Sequence, residues 1–432
     1  MSDAPPEILA TAAAAAPTSA AAEWRAHWPV VIAACVGFSF LSFMTPAFGV
    51  FMEPLSAEFG WNRTQLSAGL ALCAVLSLLV SPLFGALIDR CGSRRIALPG
   101  IVITALAVTA FSQANGSFAQ WMALWTVWGL ACMLIQATLW SAAVASLFEA
   151  GRGLALGVTL SGTALAQVIV PPLAEALIGA HGWRMAYVLL GGGWGAIAFV
   201  LSLLFLFDAR DQRRLDKRQQ TQAPSADSLP GLTMAQAWRD TQLWRVAIST
   251  LLTLTITIAV SVHQFPILVE AGAGRDTAAW LASMAGVAGV IGKLLTGWLL
   301  DRFHARWVGG LTLASTALAY PLLLESLRSP ALIALAIAVS GYAAGTKIQL
   351  CGYLTARYAG MRHYGAIFGF MSSMIALASG LGPLLAGVSH DISGGYGPLL
   401  IAGTVMSLAS GALVFSLGRY PVWAEQRGAP AQ

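Results

Sequence analysis

Charge is scarce in this sequence: of 432 residues, 10% are Asp, Glu, Lys or Arg and 57% are hydrophobic. A soluble domain carries about 25% charged residues, so this chain cannot cover itself with a water-facing surface, and soluble globular classes are excluded. Cysteine is scarce as well. Its five positions (Cys35, Cys73, Cys91, Cys132, Cys351) fall within or at the inner ends of apolar runs. None lies in an expected outer loop, so no structural disulfide is expected. There is no Gly-rich phosphate loop, no metal-ligand cluster and no nucleophile–base pair at fixed spacing. Nothing therefore supports ATP-driven transport, membrane enzymology, a cofactor or a metal. The Ala-rich start lacks a basic segment ahead of a hydrophobic core, so it reads as a disordered tail and not a signal peptide.

What the chain does have is long apolar runs. Spanning a bilayer takes roughly 20 apolar residues per helix. Twelve runs are legible, at 28–51, 66–89, 96–112, 119–147, 154–178, 185–207, 244–268, 277–300, 307–324, 330–353, 365–388 and 398–418. Hydrocarbon offers no outside partner for backbone groups, so each run is expected to be a helix. Lys and Arg set the expected orientation. With the N-terminus inside, eighteen of the 24 basic residues fall in inner segments, four (Arg63, Arg184, Arg275, Arg328) in outer loops and two within spans. Both termini are thus expected in the cytoplasm, with the chain in the inner (plasma) membrane. The scatter of basic residues makes the lipid bilayer, and no nucleic acid, the expected partner of a chain with net charge +5.

Residues 208–243 interrupt the apolar pattern with charged and Pro/Ser-containing sequence. Their end, Thr233-Met-Ala-Gln236 ahead of Ala237-Trp238, has the form of a capping box opening a short amphipathic helix on the inner surface. The expected organisation is a tail over 1–27, a six-helix bundle over 28–207, a cytoplasmic linker over 208–243, a second six-helix bundle over 244–418 and a tail over 419–432.

The end of the second run, Gly85-Ala-Leu-Ile-Asp89-Arg90-Cys-Gly92-Ser-Arg94-Arg95, has a counterpart 212 residues later in Gly297-Trp-Leu-Leu-Asp301-Arg302. The same offset pairs Pro54 with Pro266, Gly60 with Gly272, Arg63 with Arg275, Pro171 with Pro383 and Gly182 with Gly394. Backbone geometry restricts the residue at such helix ends, turns and packing sites, so a duplicated unit is predicted. The fold class is all-α and polytopic: twelve transmembrane helices in two pseudo-symmetric six-helix bundles, with a substrate site near midplane between them.

Gly-x-Leu-x-Asp89-Arg90-x-Gly92-x-Arg94-Arg95 resembles the major facilitator superfamily signature for the loop between helices 2 and 3. The resemblance implies that Gly85, Asp89, Arg90, Gly92, Arg94 and Arg95, with Gly297, Asp301 and Arg302, belong to a charge network that opens and closes the cytoplasmic side. The second copy departs from the pattern, with Ala305 where a glycine is usual. Three further stretches are Gly49-Val-Phe-Met-Glu-Pro54-Leu-Ser-Ala-Glu-Phe-Gly60-Trp61, Pro171-Pro172-Leu and Arg357-Tyr-Ala-Gly360-Met-Arg362-His-Tyr364-Gly365. They resemble the branch holding monocarboxylate porters and oxalate:formate antiporters, over about residues 28–418.

Lys293 and Lys347 are the only basic residues deep in the expected spans, and each costs on the order of 3 kcal/mol at a bilayer centre. Neither has an obvious buried counter-ion, which makes an anionic substrate the natural partner; the competing reading is snorkelling to the cytoplasmic interface. The resemblance supports Lys293, because the branch commonly places a basic, substrate-contacting residue at this position of helix 8. In helix 10, Tyr342, Thr346, Gln349 and Tyr353 form a polar stripe suited to a cavity wall, and Lys347 lies roughly 120° from it. Related transporters often carry acidic residues near Lys347 and Gln349, and this sequence has neither. Gln136 and Trp140 in helix 4 could offer substrate a hydrogen bond and an aromatic wall. His263, near the outer end of helix 7, and Glu175, the deepest carboxylate, are the candidates for proton coupling. Trp61, Trp183 and Trp280 sit near span ends and read as an aromatic belt.

The expected function is secondary transport of a small organic anion, a mono- or dicarboxylate, by alternating access. Coupling would be proton symport or anion exchange, in a monomer without cofactor. One rival is proton-coupled efflux of a drug or amphiphile, which would want a membrane-embedded carboxylate. The other is a transporter-like sensor that binds its ligand without moving it.

Overall fold

The computed structural model describes residues 20–91, 93–145, 147–148, 151–206, 231–300, 302–324, 329–360 and 362–421. The first half contains α1 (Ala20–Ser42), α2 (Met44–Phe59), α3 (Arg63–Cys91), α4 (Ser93–Ala110), α5 (Phe118–Met133), α6 (Ala137–Ala145), α7 (Arg152–Leu160), α8 (Gly162–Leu189) and α9 (Gly195–Phe205). The second contains α10 (Met234–Arg239), α11 (Thr241–Glu270), α12 (Arg275–Leu300), α13 (Ala305–Ala319), α14 (Pro330–Ala359), α15 (Tyr364–Ser393) and α16 (Gly397–Phe415).

Ten described segments are long and apolar enough to cross a membrane. The other two expected spans are present in altered form. Gly182 turns the chain inside α8 at φ 76°, so one 52-residue segment, Leu154–Phe205, carries both the fifth span and the sixth. The ninth is α13, only 15 residues long, extended by a 3-10 turn over Pro321–Leu323. Leu79, Leu106, Leu294, Leu311 and Leu318 are exposed on the outside of the molecule. Water would penalise such a surface and lipid would solvate it. The chain is a multi-span membrane protein.

The sequence repeat is visible in the backbone. Gly60 and Gly272 have φ of 68° and 92°, and Gly182 and Gly394 share a φ of 76°. This left-handed region favours glycine. All four terminate spans on one side of the molecule, the Gly60 end. The opposite side, where Arg94 and Arg245 lie, is the linker end. There the expected capping box is formed: Thr233 Oγ1 accepts the Gln236 N–H at 3.3 Å, and Gln236 Oε1 accepts the Thr233 N–H at 2.9 Å.

Two expectations change. The fourth span is broken between α5 and α6, where the Leu134 and Ile135 N–H groups bond to Ala131 and Cys132 carbonyls three residues back. The Trp140 indole N–H caps the freed Ile135 carbonyl at 2.8 Å, so the interruption leaves that acceptor satisfied. Of the expected aromatic belt, Trp280 is exposed, but Trp61 and Trp183 are buried. Trp61 packs on Phe59 and Trp121, and the Trp183 N–H donates to Glu58 at 2.6 Å. Both belong to an aromatic core that fills the Gly60 end of the first half.

Candidate functional site

Among the described residues the halves meet chiefly through α2 with α11, α3 with α15, and α8 with α12. The seam is sealed by charge at the Gly60 end. Arg275, which opens α12, donates from Nε and Nη2 to the two carboxylate oxygens of Glu175 in α8, at 2.7 and 2.8 Å. Its Nη1 bonds Glu53 in α2. On the other flank, Asp391 of α15 accepts the Arg63 and Thr64 N–H groups at 3.1 and 2.8 Å. A carboxylate from one half thus caps a helix N-terminus of the other, where unpaired donors and the helix dipole favour it.

Below this charged rim the seam is close-packed. Gly286 lies on Val168 and Gly380 on Ala71 and Ala74, positions where a Cβ would collide. The Ser283 hydroxyl donates to the Val168 carbonyl at 2.6 Å. His263 is fully buried as a node: Nε2 lies 3.1 Å from both Ser67 Oγ of the first half and the Pro383 carbonyl, and Nδ1 lies 2.8 Å from the Tyr396 hydroxyl. Nearest the linker end among these contacts, Lys293 of α12 donates to Thr163 Oγ1 of α8 at 3.2 Å. The linker-end helices α1 and α7 pack chiefly on helices of their own half.

Lys293 is therefore a half-buried ammonium at the floor of a seam closed from one side, with a hydroxyl as its partner. A hydroxyl satisfies one donor of an ammonium without neutralising its charge. Tyr342 is beside it on α14: its hydroxyl is 3.1 Å from Thr296 Oγ1, one turn along α12. Gln349 is exposed, with its amide against Gly297. Tyr353 is drawn to the linker end, where its hydroxyl donates to the Leu300 carbonyl and accepts from Arg357, both at 3.2 Å.

Other expected site residues stand elsewhere. Lys347 does not reach the seam. It is 2% exposed, and its Nζ bonds Thr257 in α11, inside the second half. Trp140 is no cavity wall, because its ring closes on Gly37 in the core of the first half. Gln136 sits in the α5–α6 break. Glu175 is an ion-pair partner of Arg275, and His263 is a hydrogen-bonded strut.

Of the gate motif, Gly92 and Asp301 lie outside the described residues, as do the side chains of Asp89 and Arg90; Gly85 is on α3. Arg94 closes the C-terminus of α9, donating to the Leu203 and Leu206 carbonyls at 2.6 and 3.2 Å. Arg95 is exposed, and Arg302 stacks on Trp298 at 4.0 Å. At Ala305 the N–H donates to the Tyr420 hydroxyl at 2.8 Å.

Sequence reasoning did not single out Arg275, Thr163 or Asp391 as functional. The repeat held a signal for the first, since Arg63 and Arg275 are paired positions that open α3 and α12 and both face the seam. Nothing in the sequence marks Thr163 or Asp391 apart from other polar residues.

The sequence profile of the Major Facilitator Superfamily matches residues 30–270 and 257–431. Monocarboxylate transporter 13 of Bos taurus is 24% identical over 397 residues, covering 90% of this chain and 88% of its own. The probable sulfoacetate transporter SauU of Cupriavidus necator is 26% identical over 286 residues, 62% of this chain and 65% of its own. A solved structure of a bacterial homolog to the human lysosomal transporter Spinster, inward-facing and unoccupied, matches with a TM-score of 0.65 at 15% identity, over 92% of this chain and 94% of that one. Paired glycine turns, helices lacking any strand among the described residues, and the profile match agree: the chain belongs to the Major Facilitator Superfamily, and it is similar along most of its length to monocarboxylate transporters.

Proposed function

We propose that this protein is a secondary transporter of a small organic anion, a mono- or dicarboxylate or a related sulfonate, moved by alternating access and not chemically changed. The observation that carries the reading is Lys293, an ammonium held between the halves by one hydroxyl and, among the described residues, by no carboxylate. An anion binding there would contact both halves at once, so its binding energy can bias their rocking. The names of relatives that span most of the chain, or nearly two thirds of it, point to the same substrate class. The Gly60 end is the outer face, the linker end opens to the cytoplasm, and the chain works as a monomer in the plasma membrane. The Glu175–Arg275 pair weighs against proton-coupled efflux of cations, because it leaves that carboxylate occupied.

The test is counterflow of labelled carboxylates and sulfonates in proteoliposomes. Losing a charge-assisted hydrogen bond should lower the rate for Lys293→Ala roughly ten- to a hundredfold, with the melting profile retained. Undiminished counterflow by a folded Lys293→Ala protein would overturn the assignment.

A further inference from the structure

The second lysine has a chamber of its own. A small cavity, with room for about one water-sized occupant, lies between α11, α13, α14 and α16, lined by Lys347 with Ser249, Thr250, Thr253 and Cys351 and by the aliphatic side chains of Val246, Leu313, Leu350, Leu354 and Val414. No Asp or Glu lines it. Lys347 has three N–H donors, and its one hydrogen bond among the described residues is to Thr257 Oγ1. Thr257 is polarised to receive it, because its own hydroxyl proton goes to the Thr253 carbonyl at 2.6 Å.

Thr253 supplies a second, independent sign. Its hydroxyl is buried without a partner, whereas a threonine within a helix ordinarily bonds the carbonyl four residues back. That carbonyl belongs to Ser249 and already accepts the Ser410 hydroxyl at 3.0 Å. A buried hydroxyl left unpaired is costly. Here it lines the same space as a buried lysine with unspent donors.

We propose that this chamber binds one small monovalent anion, chloride in chemical class, held by the Lys347 ammonium and the Thr253 hydroxyl. Two donor-bearing side chains lining one space, with aliphatic walls, suit a weakly hydrated spherical ion. The chamber is separate from Lys293: it lies within the second half, while Lys293 faces the first. Its occupant neutralises the interior of the bundle, so the bundle can move as a body without an uncompensated charge in low dielectric.

Purified full-length protein in detergent would be melted in sodium chloride, sodium bromide and sodium gluconate at equal ionic strength, and radiolabelled chloride binding measured. Wild type should bind about one chloride per chain, and chloride at tenfold its Kd should raise the melting temperature by roughly 1.5 °C over gluconate. Thr253→Val, which keeps the shape and removes the hydroxyl, should lose most of both effects, as should Lys347→Met if it folds. Lys293→Gln should keep both, so failure here and failure of the carboxylate reading are distinguishable. Equal melting of wild type in chloride and gluconate with no bound chloride, or unaltered chloride binding by Thr253→Val, would overturn the proposal.

Discussion

At the linker end, His304 accepts the Arg306 N–H through Nδ1 at 3.3 Å, and its ring stacks on Tyr420 with centroids 4.0 Å apart. Burial, and then the positive charges of Arg306 and Arg357, hold its pKa below the ordinary 6.5. As pH falls through 6.5 the unfolded chain takes up the proton first, so protonation favours unfolding. The stability contributed by neutral His304 is present above about pH 6.5 and declines toward the lower folded pKa. His304→Asn keeps a capping side chain without the titration, so melting curves between pH 7 and 5.5 should show a shallower decline than wild type. An unchanged slope would remove His304 from the pH response.

The two lysines show how far residue-level reading goes. Depth is legible, because a lysine inside an apolar run stands out, and position on the helix placed Lys347 away from the polar stripe. The partners were not legible. Thr163 and Thr257 are two threonines among many, and only the three-dimensional path of α8 and α11 brings one to the seam and the other into the bundle interior.

Among elements, α12 and α14 approach each other at backbone distance. Gly345 lies against the Gly289 backbone, Gly341 against Ala285 and Gly292 against Tyr342, and a Cβ on any of these glycines would strike backbone atoms. Small residues let two membrane helices meet at backbone distance, and the crossing fixes Tyr342 beside Thr296 one turn from Lys293. Gly345→Val should cost at least about 2 kcal/mol, seen as a lower melting temperature, and should weaken transport by displacing Tyr342. A wild-type melting curve would contradict the crossing. Apolar periodicity revealed most of the helices but not the break between α5 and α6. That break depends on Trp140 reaching the Ile135 carbonyl, a contact within the fold and not a helix-breaking residue.

For the whole molecule, the seal at the Gly60 end uses two unlike clasps at repeat-related helix starts: Arg275 gathering Glu53 and Glu175, and Asp391 capping α3. The Arg275–Glu53 contact is partly exposed and weak on its own, while Glu175, nearly buried and bidentate, is the stronger half of its clasp. Removing both clasps with Glu175→Gln and Asp391→Asn should shift the population toward the state open at that end. Cysteine introduced by Ala71→Cys, packed against Gly380 in the closed seam, should then label several-fold faster with an impermeant maleimide. With Cys91 replaced by Ser, the remaining native thiols Cys35, Cys73, Cys132 and Cys351 are buried and should stay silent. Equal labelling rates would mean that the clasps do not govern the seam. The duplication was legible in the glycine spacing, because a left-handed turn limits residue choice. The clasps were not, because charged residues at helix ends are common and their partners lie a hundred or more residues away.

The buried bond from Lys347 to Thr257 also bears on how the chain is made. A ribosome delivers α11 before α14, and the two bonded residues are 90 positions apart. When the lysine-bearing helix arrives at the translocon, its hydroxyl acceptor is already in the membrane, and so is α12 with the glycines that receive Gly345. A helix that would enter lipid poorly alone can thus be admitted by helices inserted ahead of it. Biogenesis of the second half should depend on order: moving α14 ahead of α11 in a permuted gene would strand Lys347 in hydrocarbon.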